Sequence, residues 1–285
     1  IVTPPGYYSL NEESVRTFLD GLPDIRARLG GRPADWTVVE VGDGNLNLVF
    51  LVDGPDGSVC VKQALPYVRA AGESWPLPLD RAFFEQGYYR AVSPVVGALV
   101  PAFYHYEPAL YAIVMEKLAP HIILRRGLIE GRQYPKIGRD LGLFMARTLF
   151  RGSDLSMATA EKKADMALFA GNVELCDITE NLVFSDPYFD APMNRHTEGL
   201  EGAVARLRAD LPLKVAAQHL KMAFTAQAET LLHGDLHTGS VMVSDAETRV
   251  IDPEFATYGP IGFDVGMLIS NFLMAFMSQP GHEAE

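Results

Sequence analysis

Cysteine, basic residues and long apolar runs are all scarce in this chain of 285 residues. The two cysteines, Cys60 and Cys176, cannot supply a disulfide framework, and so few thiols are typical of a reducing compartment such as the cytoplasm. Lysine and arginine number 24 against 36 aspartates and glutamates, which gives a net charge of -12. This acidity argues against general binding to nucleic acids or anionic membranes.

The sequence has no segment suited to crossing a membrane. Its most apolar part, residues 265–277, is too short for a bilayer and contains Asn271, so we predict a buried helix there. Residues 1–6 have neither a basic start nor an apolar run, which predicts no secretory leader, and the missing initiator Met suggests trimming at that end. Hydrophobic residues make up 48% of the chain, so we expect a folded protein with one large domain or two lobes.

The first part of the chain predicts a helix and then three antiparallel strands. Ser9 and Glu12 have the spacing of a capping box, which predicts a helix that ends near Gly21. Strands are predicted at residues 36–41, 46–52 and 58–63. The turn at 42–45 is rich in glycine and asparagine, as turns with positive φ require.

Later segments predict further strands and several helices. The apolar spacing predicts a helix over residues 80–92, with Asp80 as its cap. Two more strands are predicted at 100–106 and 110–115. Further helices are predicted at 134–150, 198–209 and 212–229, with a short helix beginning at 172–176.

The polar residues that suggest chemistry lie around one predicted β-hairpin. Asp235 precedes a strand at 240–243, and the returning strand at 249–251 leads to Asp252 and Glu254. We therefore expect these three carboxylates to meet at the mouth of the hairpin. Because like charges repel, such a cluster predicts a cation among them.

The pattern resembles the protein-kinase-like phosphotransferases, in which an Asp of a His-x-Asp loop orients the substrate hydroxyl and a later Asp holds magnesium. More closely, it resembles the 5-methylthioribose kinase family of the aminoglycoside-phosphotransferase-like branch. The stretches that carry the resemblance are GDGNLN at 42–47, GESWP at 72–76, HGDLHTGS at 233–240, IDPEF at 251–255 and YGPIGFDVG at 258–266. They are long and specific, and they span nearly the whole chain.

The resemblance implies an α+β, two-lobed protein-kinase-like fold. Residues 1–118 would form a small N-lobe, with an antiparallel sheet and a helix that bind nucleotide. Residues 119–285 would form a larger, mainly helical C-lobe with the catalytic and metal-binding loops. The implied reaction transfers the γ-phosphoryl of ATP to the 1-hydroxyl of 5-methylthioribose in methionine salvage, with Mg²⁺ as cofactor. The resemblance also implies a cytoplasmic homodimer.

It further implies roles for individual residues. Asp235 is the expected catalytic residue and acceptor contact, and Asp252 and Glu254 are the expected magnesium ligands. The expected ATP-binding residues are Gly44, Asn45, Lys62, Glu116, Lys117, Leu118, Asp252, Pro253 and Glu254. The expected supporting residues are Glu85, His233, Ser240 and Asp264. Of these, Glu85 would pair with Lys62, His233 would brace the catalytic loop and Asp264 would accept backbone hydrogen bonds from it.

Two positions depart from the general kinase pattern but match the methylthioribose kinases. Ser240 stands where an asparagine ligand is expected, and the Asp-Phe-Gly motif is replaced by Asp-Pro-Glu at 252–254. Glu254 is therefore expected to supply the ligand that Ser240 does not. The resemblance also implies an acceptor-binding arginine pair beyond Glu285, since the family's chains continue further and no Arg follows Arg249.

Other interpretations remain open from the sequence. The acceptor could be an aminoglycoside, choline or homoserine, and the chain could be a nucleotide-binding module without catalysis. His233, Asp235 and His237 also have a spacing that zinc could use. Glu85 could be a solvated helix residue, and Asp264 could be a fourth acidic ligand. The physical role of residues 72–76 is not evident from the sequence.

Overall fold

A computed structural model describes residues 3–42, 46–69 and 72–279, apart from the side chain of Glu73. Within these residues the α-helices are α1 (Glu12–Asp20), α2 (Pro23–Leu29), α3 (Arg81–Val96), α4 (Leu124–Ile129), α5 (Ile137–Arg151), α6 (Thr159–Phe169), α7 (Val173–Leu182), α8 (Glu201–Ala209), α9 (Leu211–Ala226) and α10 (Gly262–Met277). Short 3-10 helices cover Pro33–Asp35, Gly97–Leu99 and Asp186–Tyr188. The strands are β1 (Thr37–Glu40), β2 (Asn47–Asp53), β3 (Ser58–Ala64), β4 (Tyr67–Val68), β5 (Gly72–Pro76), β6 (Phe103–Glu107), β7 (Ala112–Met115), β8 (Ile122–Ile123), β9 (Thr230–Leu232), β10 (Val241–Val243), β11 (Thr248–Val250) and β12 (Thr257–Gly259).

The largest sheet is antiparallel throughout, with the strand order β1-β2-β3-β7-β6. Its strands are rich in Val, Leu, Ile and aromatic residues, which favour a half-buried pleated surface. The register places Lys62 opposite Val49 of β2 and Ile113 of β7. Lys62 therefore lies in the central strand, whose backbone is hydrogen-bonded on both sides.

The two faces of this sheet have different surroundings. Phe50, Val52, Val59 and Val61 are fully buried on one face, in a hydrophobic core that they share with α1 and α2. Burial of each such side chain stabilises the fold by about 1.5–3 kcal/mol, which holds the register of the sheet. Because side chains alternate along a strand, Lys62 lies on the opposite face.

Helix α3 packs against both the sheet and the helical part of the chain. Ala82, in its first turn, belongs to a cluster with Met115 of β7. Tyr88 and Tyr89 belong to a larger core that includes Leu141 of α5. The helix is thus buried on several sides, and its polar residues Arg81, Glu85 and Gln86 lie inside the protein.

Short strand pairs bring two loops of the C-terminal half together. Strand β9 pairs with β12, and β10 pairs with β11 and β8. Residues 233–240 follow β9, and residues 251–256 lead into β12, so both loops begin or end at the same pair of strands. The predicted hairpin formed by β10 and β11 is confirmed.

The predicted start of the first helix is wrong by a few residues. Asn11, not Ser9, is the N-cap: its side chain accepts hydrogen bonds from the backbone of Glu13 and Ser14. Ser14 completes the capping box by accepting from the backbone N–H of Asn11. Leu10 is instead buried, and its N–H donates to Oε1 of Gln63 at 2.7 Å, which holds the preceding segment against β3.

The predicted buried helix at 265–277 is helical but is not buried. Leu268 faces the core, whereas Ile269, Leu273 and Met277 are 52%, 56% and 77% exposed. Composition indicated burial, but a helix is buried only where other elements pack on it, and within the described residues one face of α10 has none. In the described part of the chain, no helix combines the length and the apolar character needed to traverse a bilayer.

The predicted α+β class is confirmed. An antiparallel sheet and a helix form the N-terminal lobe, and the C-terminal lobe is larger and mainly helical. The boundary between residues 118 and 119 stays a prediction.

Candidate active site

The loop after β9 turns sharply at Gly234. This residue has φ 85°, a left-handed conformation that side chains with a Cβ rarely adopt. A Cβ at this position would also lie 2.1 Å from the carbonyl oxygen of Phe255. The glycine therefore lets the 233–240 loop press against the 251–256 loop.

A buried aspartate at the start of α10 holds the first residues of this loop. Asp264 accepts hydrogen bonds from the backbone N–H groups of His233 at 2.7 Å and Gly234 at 3.1 Å. Burial raises the pKa of Asp264, and the opposing effects of His233 and these backbone donors only partly offset that rise. Nδ1 of His233 accepts from the N–H of Asp235 at 3.3 Å, so its Nε2 donates to the carbonyl of Ile251 at 2.9 Å. Both ring nitrogens are thereby used in joining the two loops.

Asp235 lies at the surface of the loop with a histidine beside it. Its Oδ2 is 3.4 Å from Nε2 of His237. Nδ1 of His237 accepts from the N–H of Gly239 at 2.8 Å and lies 3.2 Å from Nη2 of Arg125. These donors leave the proton on Nε2, which faces Asp235. Ser240 donates its hydroxyl proton to the backbone oxygen of Asp235 at 2.8 Å and so steadies the loop.

Lys62 lies among three carboxylates on the inner face of the sheet. Its Nζ is 2.6 Å from Oε2 of Glu85, forms a close contact with Oδ1 of Asp252 and is 4.0 Å from Oε2 of Glu254. Burial alone would lower the pKa of Lys62, but the three carboxylates raise it well above its usual value. Burial raises the pKa of Glu85 to about 7 in spite of Lys62. Because one ammonium is shared by several carboxylates, Lys62 offsets the effect of burial on the pKa of Glu85 only in part.

The backbone of the 252–254 turn is held by two further side chains. Asp252 has φ 70°, an uncommon conformation for a residue other than glycine, and its N–H donates to Oη of Tyr89 at 3.0 Å. Asn172 is buried and donates from Nδ2 to the carbonyls of Glu254 at 2.9 Å and Ala256 at 3.0 Å. Burial would raise the pKa of Asp252, but Lys62 holds it below its usual range.

These contacts join a strand lysine, a helix glutamate and an Asp-x-Glu turn beside a His-x-Asp loop. The model of a family described as "Phosphotransferase enzyme family" matches residues 37–283. The chain belongs to that family.

Curated relatives narrow the family further. A methylthioribose kinase of Escherichia coli O45:K1 is 46% identical over 283 residues, which cover 99% of this chain and 68% of that protein. Methylthioribose kinase 1 of Oryza sativa subsp. japonica is 45% identical over 279 residues, which cover 97% of this chain and 65% of that protein. A methylthioribose kinase of Bacillus pumilus is 46% identical, with 92% of this chain and 66% of that protein covered. The chain is thus a member of the methylthioribose kinases and spans about two thirds of the length of these relatives.

Solved structures with similar folds are more distant. Choline kinase LicA from Streptococcus pneumoniae gives a TM-score of 0.49 at 12% identity, covering 93% of this chain and 79% of that one. The streptomycin-ATP-APH(2")-IIa ternary complex gives a TM-score of 0.46 at 11% identity, covering 90% and 75%. The family assignment rests on the sequence matches.

The carboxylates that could hold a metal are not the three that the sequence predicts. Among the described residues, one oxygen from each of Glu85, Asp252 and Glu254 lies within 4.8 Å of the others. Asp235 is not part of this group, because the 233–240 loop directs it toward His237 instead. An all-oxygen donor set suits Mg²⁺, and Oε1 of Glu85 is buried without a hydrogen-bond partner. The residues therefore fit a divalent cation, with Asp252 and Glu254 as its expected ligands.

The geometry does not support a zinc site formed by His233, Asp235 and His237. The possible ligand group found in the described residues contains no histidine. His233, which the zinc pattern would need, is fully buried and has both nitrogens in hydrogen bonds.

The segment expected to contact the adenine connects β7 to β8. The backbone N–H of Glu116 donates to the carbonyl of Ala102 at 2.8 Å, and Lys117 contacts both carboxylate oxygens of Asp53 at 2.7 and 2.6 Å. These bonds tie residues 116–118 to the sheet.

The remaining predicted residues have different outcomes. Gly44 and Asn45 lie outside the described residues. Residues 72–76 form strand β5, which pairs with β4 in a small separate sheet, with Tyr67 opposite Pro76. Pro253 is buried, and its carbonyl accepts from the N–H of Ala256 at 3.1 Å.

Sequence reasoning missed several residues that contact the site, among them Asn47, Arg81, Arg125 and Asn172. Asn47 ends the GDGNLN motif, and Arg81 lies one turn before Glu85 in a helix whose spacing indicates burial, so both carried a local signal. No local pattern marks the other two residues, whose partners are far away in the chain.

Proposed function

We propose that the protein transfers the γ-phosphoryl of ATP to the 1-hydroxyl of 5-methylthioribose, giving 5-methylthioribose 1-phosphate in methionine salvage. The observation that carries this proposal is the Lys62 ammonium between Glu85 and Asp252, beside a separately anchored Asp235 loop. The relatives that are methylthioribose kinases support the identity of the acceptor.

In the proposed reaction, the acceptor oxygen attacks the γ-phosphorus and the bond to the β,γ-bridging oxygen breaks, so ADP leaves with that electron pair. Asp235 orients the hydroxyl and accepts its proton. His237 supports this role, because its Nε2–H faces the Asp235 carboxylate at 3.4 Å and holds it in place. Such in-line positioning supplies most of the catalysis in phosphoryl transfer.

Lys62 binds the α- and β-phosphates, and Glu85 holds its ammonium in position. Asp252 and Glu254 hold Mg²⁺, which neutralises charge on the phosphates when it is bound. The 42–45 turn covers the phosphates, and the backbone at 116–118 contacts the adenine. All of these roles follow from the family resemblance at the matching positions.

A panel of acceptors tests the proposal. Purified full-length protein is incubated with ATP, Mg²⁺ and methylthioribose, choline, homoserine or an aminoglycoside, and phosphorylated products are identified by ³¹P NMR. We expect product from methylthioribose alone. Product from another acceptor would replace the substrate, and no product from any of them would favour a non-catalytic nucleotide-binding module.

The same assay tests Asp235. We expect Asp235→Ala to lower turnover by about 10²–10⁴-fold, because the general base is lost, while ATP affinity changes little. Asp245→Ala, at an exposed position in the turn between β10 and β11, is the matched control and should keep wild-type turnover. Turnover of Asp235→Ala above about a tenth of wild type would reject the assignment.

We also place the protein in the cytoplasm as a homodimer, following the resemblance. Its free thiols, Cys60 and Cys176, suit a reducing compartment. Sedimentation equilibrium of the purified chain tests the dimer.

A further inference from the structure

A fully buried arginine lies at the centre of contacts around the proposed metal ligands. Arg81 is 0% exposed, although arginine is almost never fully buried without partners. It occupies the first turn of α3, one helical turn before Glu85, so both side chains lie on the same face. The helix therefore presents a cation and an anion to the same interior region.

Every N–H group of this guanidinium has an acceptor. Nε donates to Oε2 of Glu254 at 3.1 Å. Nη1 donates to the carbonyls of Leu65 at 2.9 Å and Pro78 at 2.5 Å. Nη2 donates to the carbonyl of Leu46 at 2.5 Å and to Oδ1 of Asn47 at 3.1 Å. The fixed fork of five donors matches five acceptors, an arrangement that the three donors of a lysine cannot reproduce.

Asn47 contacts both Arg81 and Glu254, so the three side chains are hydrogen-bonded to one another. Its Nδ2 donates to the same Oε2 of Glu254 at 3.0 Å, while its Oδ1 accepts from Arg81. Two donors therefore meet at one oxygen of Glu254, each from a different element. Leu46 and Asn47 also follow directly after the 42–45 turn that would cover the nucleotide phosphates.

We propose that Arg81, together with Asn47, is a positioning residue that holds Glu254 in the orientation needed to bind the catalytic metal. This inference rests on the proposed function. Without the two donors, Glu254 has another cation close by, because Lys62 Nζ is already 4.0 Å from the same oxygen. The carboxylate would then turn toward Lys62 and away from the metal.

The experiment measures metal binding without turnover. Mn²⁺ is titrated into the protein with a non-hydrolysable ATP analogue, and free Mn²⁺ is followed by electron paramagnetic resonance. We expect Arg81→Lys, which keeps the charge but loses the fork, to weaken Mn²⁺ binding by about tenfold or more, as for other partners of metal ligands. Thermal unfolding of each variant shows that it is folded.

Two further variants make the result specific. Arg151→Lys alters a half-buried ion pair with Asp165 (2.9 Å) between α5 and α6, and it should leave Mn²⁺ affinity unchanged. Asn47→Ala removes the second donor to Glu254 and should also weaken Mn²⁺ binding. If Arg81→Lys does not fold, Asn47→Ala decides the question by itself.

Wild-type affinity in the folded Arg81→Lys variant would overturn the inference and leave the proposed function intact. The same holds for wild-type affinity in Asn47→Ala when Arg81→Lys does not fold. If the wild-type protein itself binds no Mn²⁺ with the nucleotide, the proposed metal role fails and the inference fails with it. The wild-type titration therefore separates the two failures.

Discussion

The ammonium of Lys62 compensates the negative charge of the carboxylates in the site. This ammonium is buried next to Glu85 and Asp252, with Glu254 at 4.0 Å. Removing one partner of a buried ion pair leaves uncompensated charge, which typically costs about 3–5 kcal/mol. Here one cation serves several anions, so its loss exposes them to mutual repulsion as well.

We therefore expect Lys62→Met to lower the free energy of unfolding by about 3–5 kcal/mol and to abolish nucleotide binding. Excess Mg²⁺ should raise the melting temperature of this variant more than that of the wild type, because a divalent cation can replace the ammonium among the carboxylates. Lys163→Met, on the exposed side of α6, is the control and should show neither effect. Differential scanning calorimetry measures both, and an equal Mg²⁺ shift in the two proteins would contradict the expectation.

Cys60 lies two residues before Lys62 on the same strand and is partly buried. Burial raises the pKa of this thiol to about 12, although Lys62 acts in the opposite direction. Because a raised pKa favours the neutral thiol, the reactive thiolate is only about 10⁻⁴ of the population at pH 8.

We expect iodoacetamide to label Cys60 slowly at pH 8, with a rate that still rises about tenfold per pH unit at pH 9. Mass spectrometry of labelled peptides follows the reaction, and protein unfolded in guanidinium provides the comparison. A rate that levels off near pH 8.5, as for an ordinary exposed thiol, would show that the pKa of this thiol is not raised.

At the scale of elements, the start of α10 anchors the catalytic loop. Asp264 is 2% exposed and accepts the two backbone N–H groups of His233 and Gly234. An unpartnered buried N–H costs about 1–3 kcal/mol, so this one carboxylate supports two such groups. The position of Asp235 depends on the same anchor, since it is the next residue in the loop.

We expect Asp264→Ala to lower the free energy of unfolding by about 2–5 kcal/mol and to reduce turnover, because two buried donors lose their acceptor and the loop moves. Ser270→Ala, on the exposed face of the same helix, should change neither quantity. Chemical denaturation and the kinase assay check the pair. Wild-type turnover in a destabilised Asp264→Ala protein would mean that loop position does not depend on this anchor.

At the scale of the molecule, the helical lobe shows an unusual amount of apolar surface. On α10 alone, Leu273, Met274, Phe276 and Met277 are between 49% and 77% exposed. Contiguous apolar surface of this kind is uncommon on monomeric proteins. The proposed metal ligands Asp252 and Glu254 lie elsewhere, in the loop that precedes β12.

We expect these 285 residues to bind the dye 1-anilinonaphthalene-8-sulfonate in the folded state, because the α10 side chains are accessible to it. The double variant Leu273→Gln, Met277→Gln should reduce the fluorescence, whereas Ser270→Gln on the same helix should not. Circular dichroism confirms that each protein is folded. Wild-type fluorescence that does not exceed that of the double variant would show that another part of the protein covers this face.

Features that depend on neighbours along the chain could be predicted from the amino-acid sequence. The strand carrying Lys62, the helix carrying Glu85 and the hairpin before Asp252 all follow from local periodicity and turn residues. The polar motifs were long enough to indicate the family as well. Even the error at the first helix was local, since Asn11 offered an alternative cap three residues before Ser14.

The contacts between side chains that are distant in the sequence became evident only from the folded structure. Glu85, not Asp235, completes the carboxylate group, and Arg81 contacts a glutamate 173 residues away in the chain. The apolar residues of α10 predicted a buried helix, yet most of them are exposed. In each case the contact or the burial depends on how separate elements pack together. That packing cannot be predicted from the residues next to each position in the sequence.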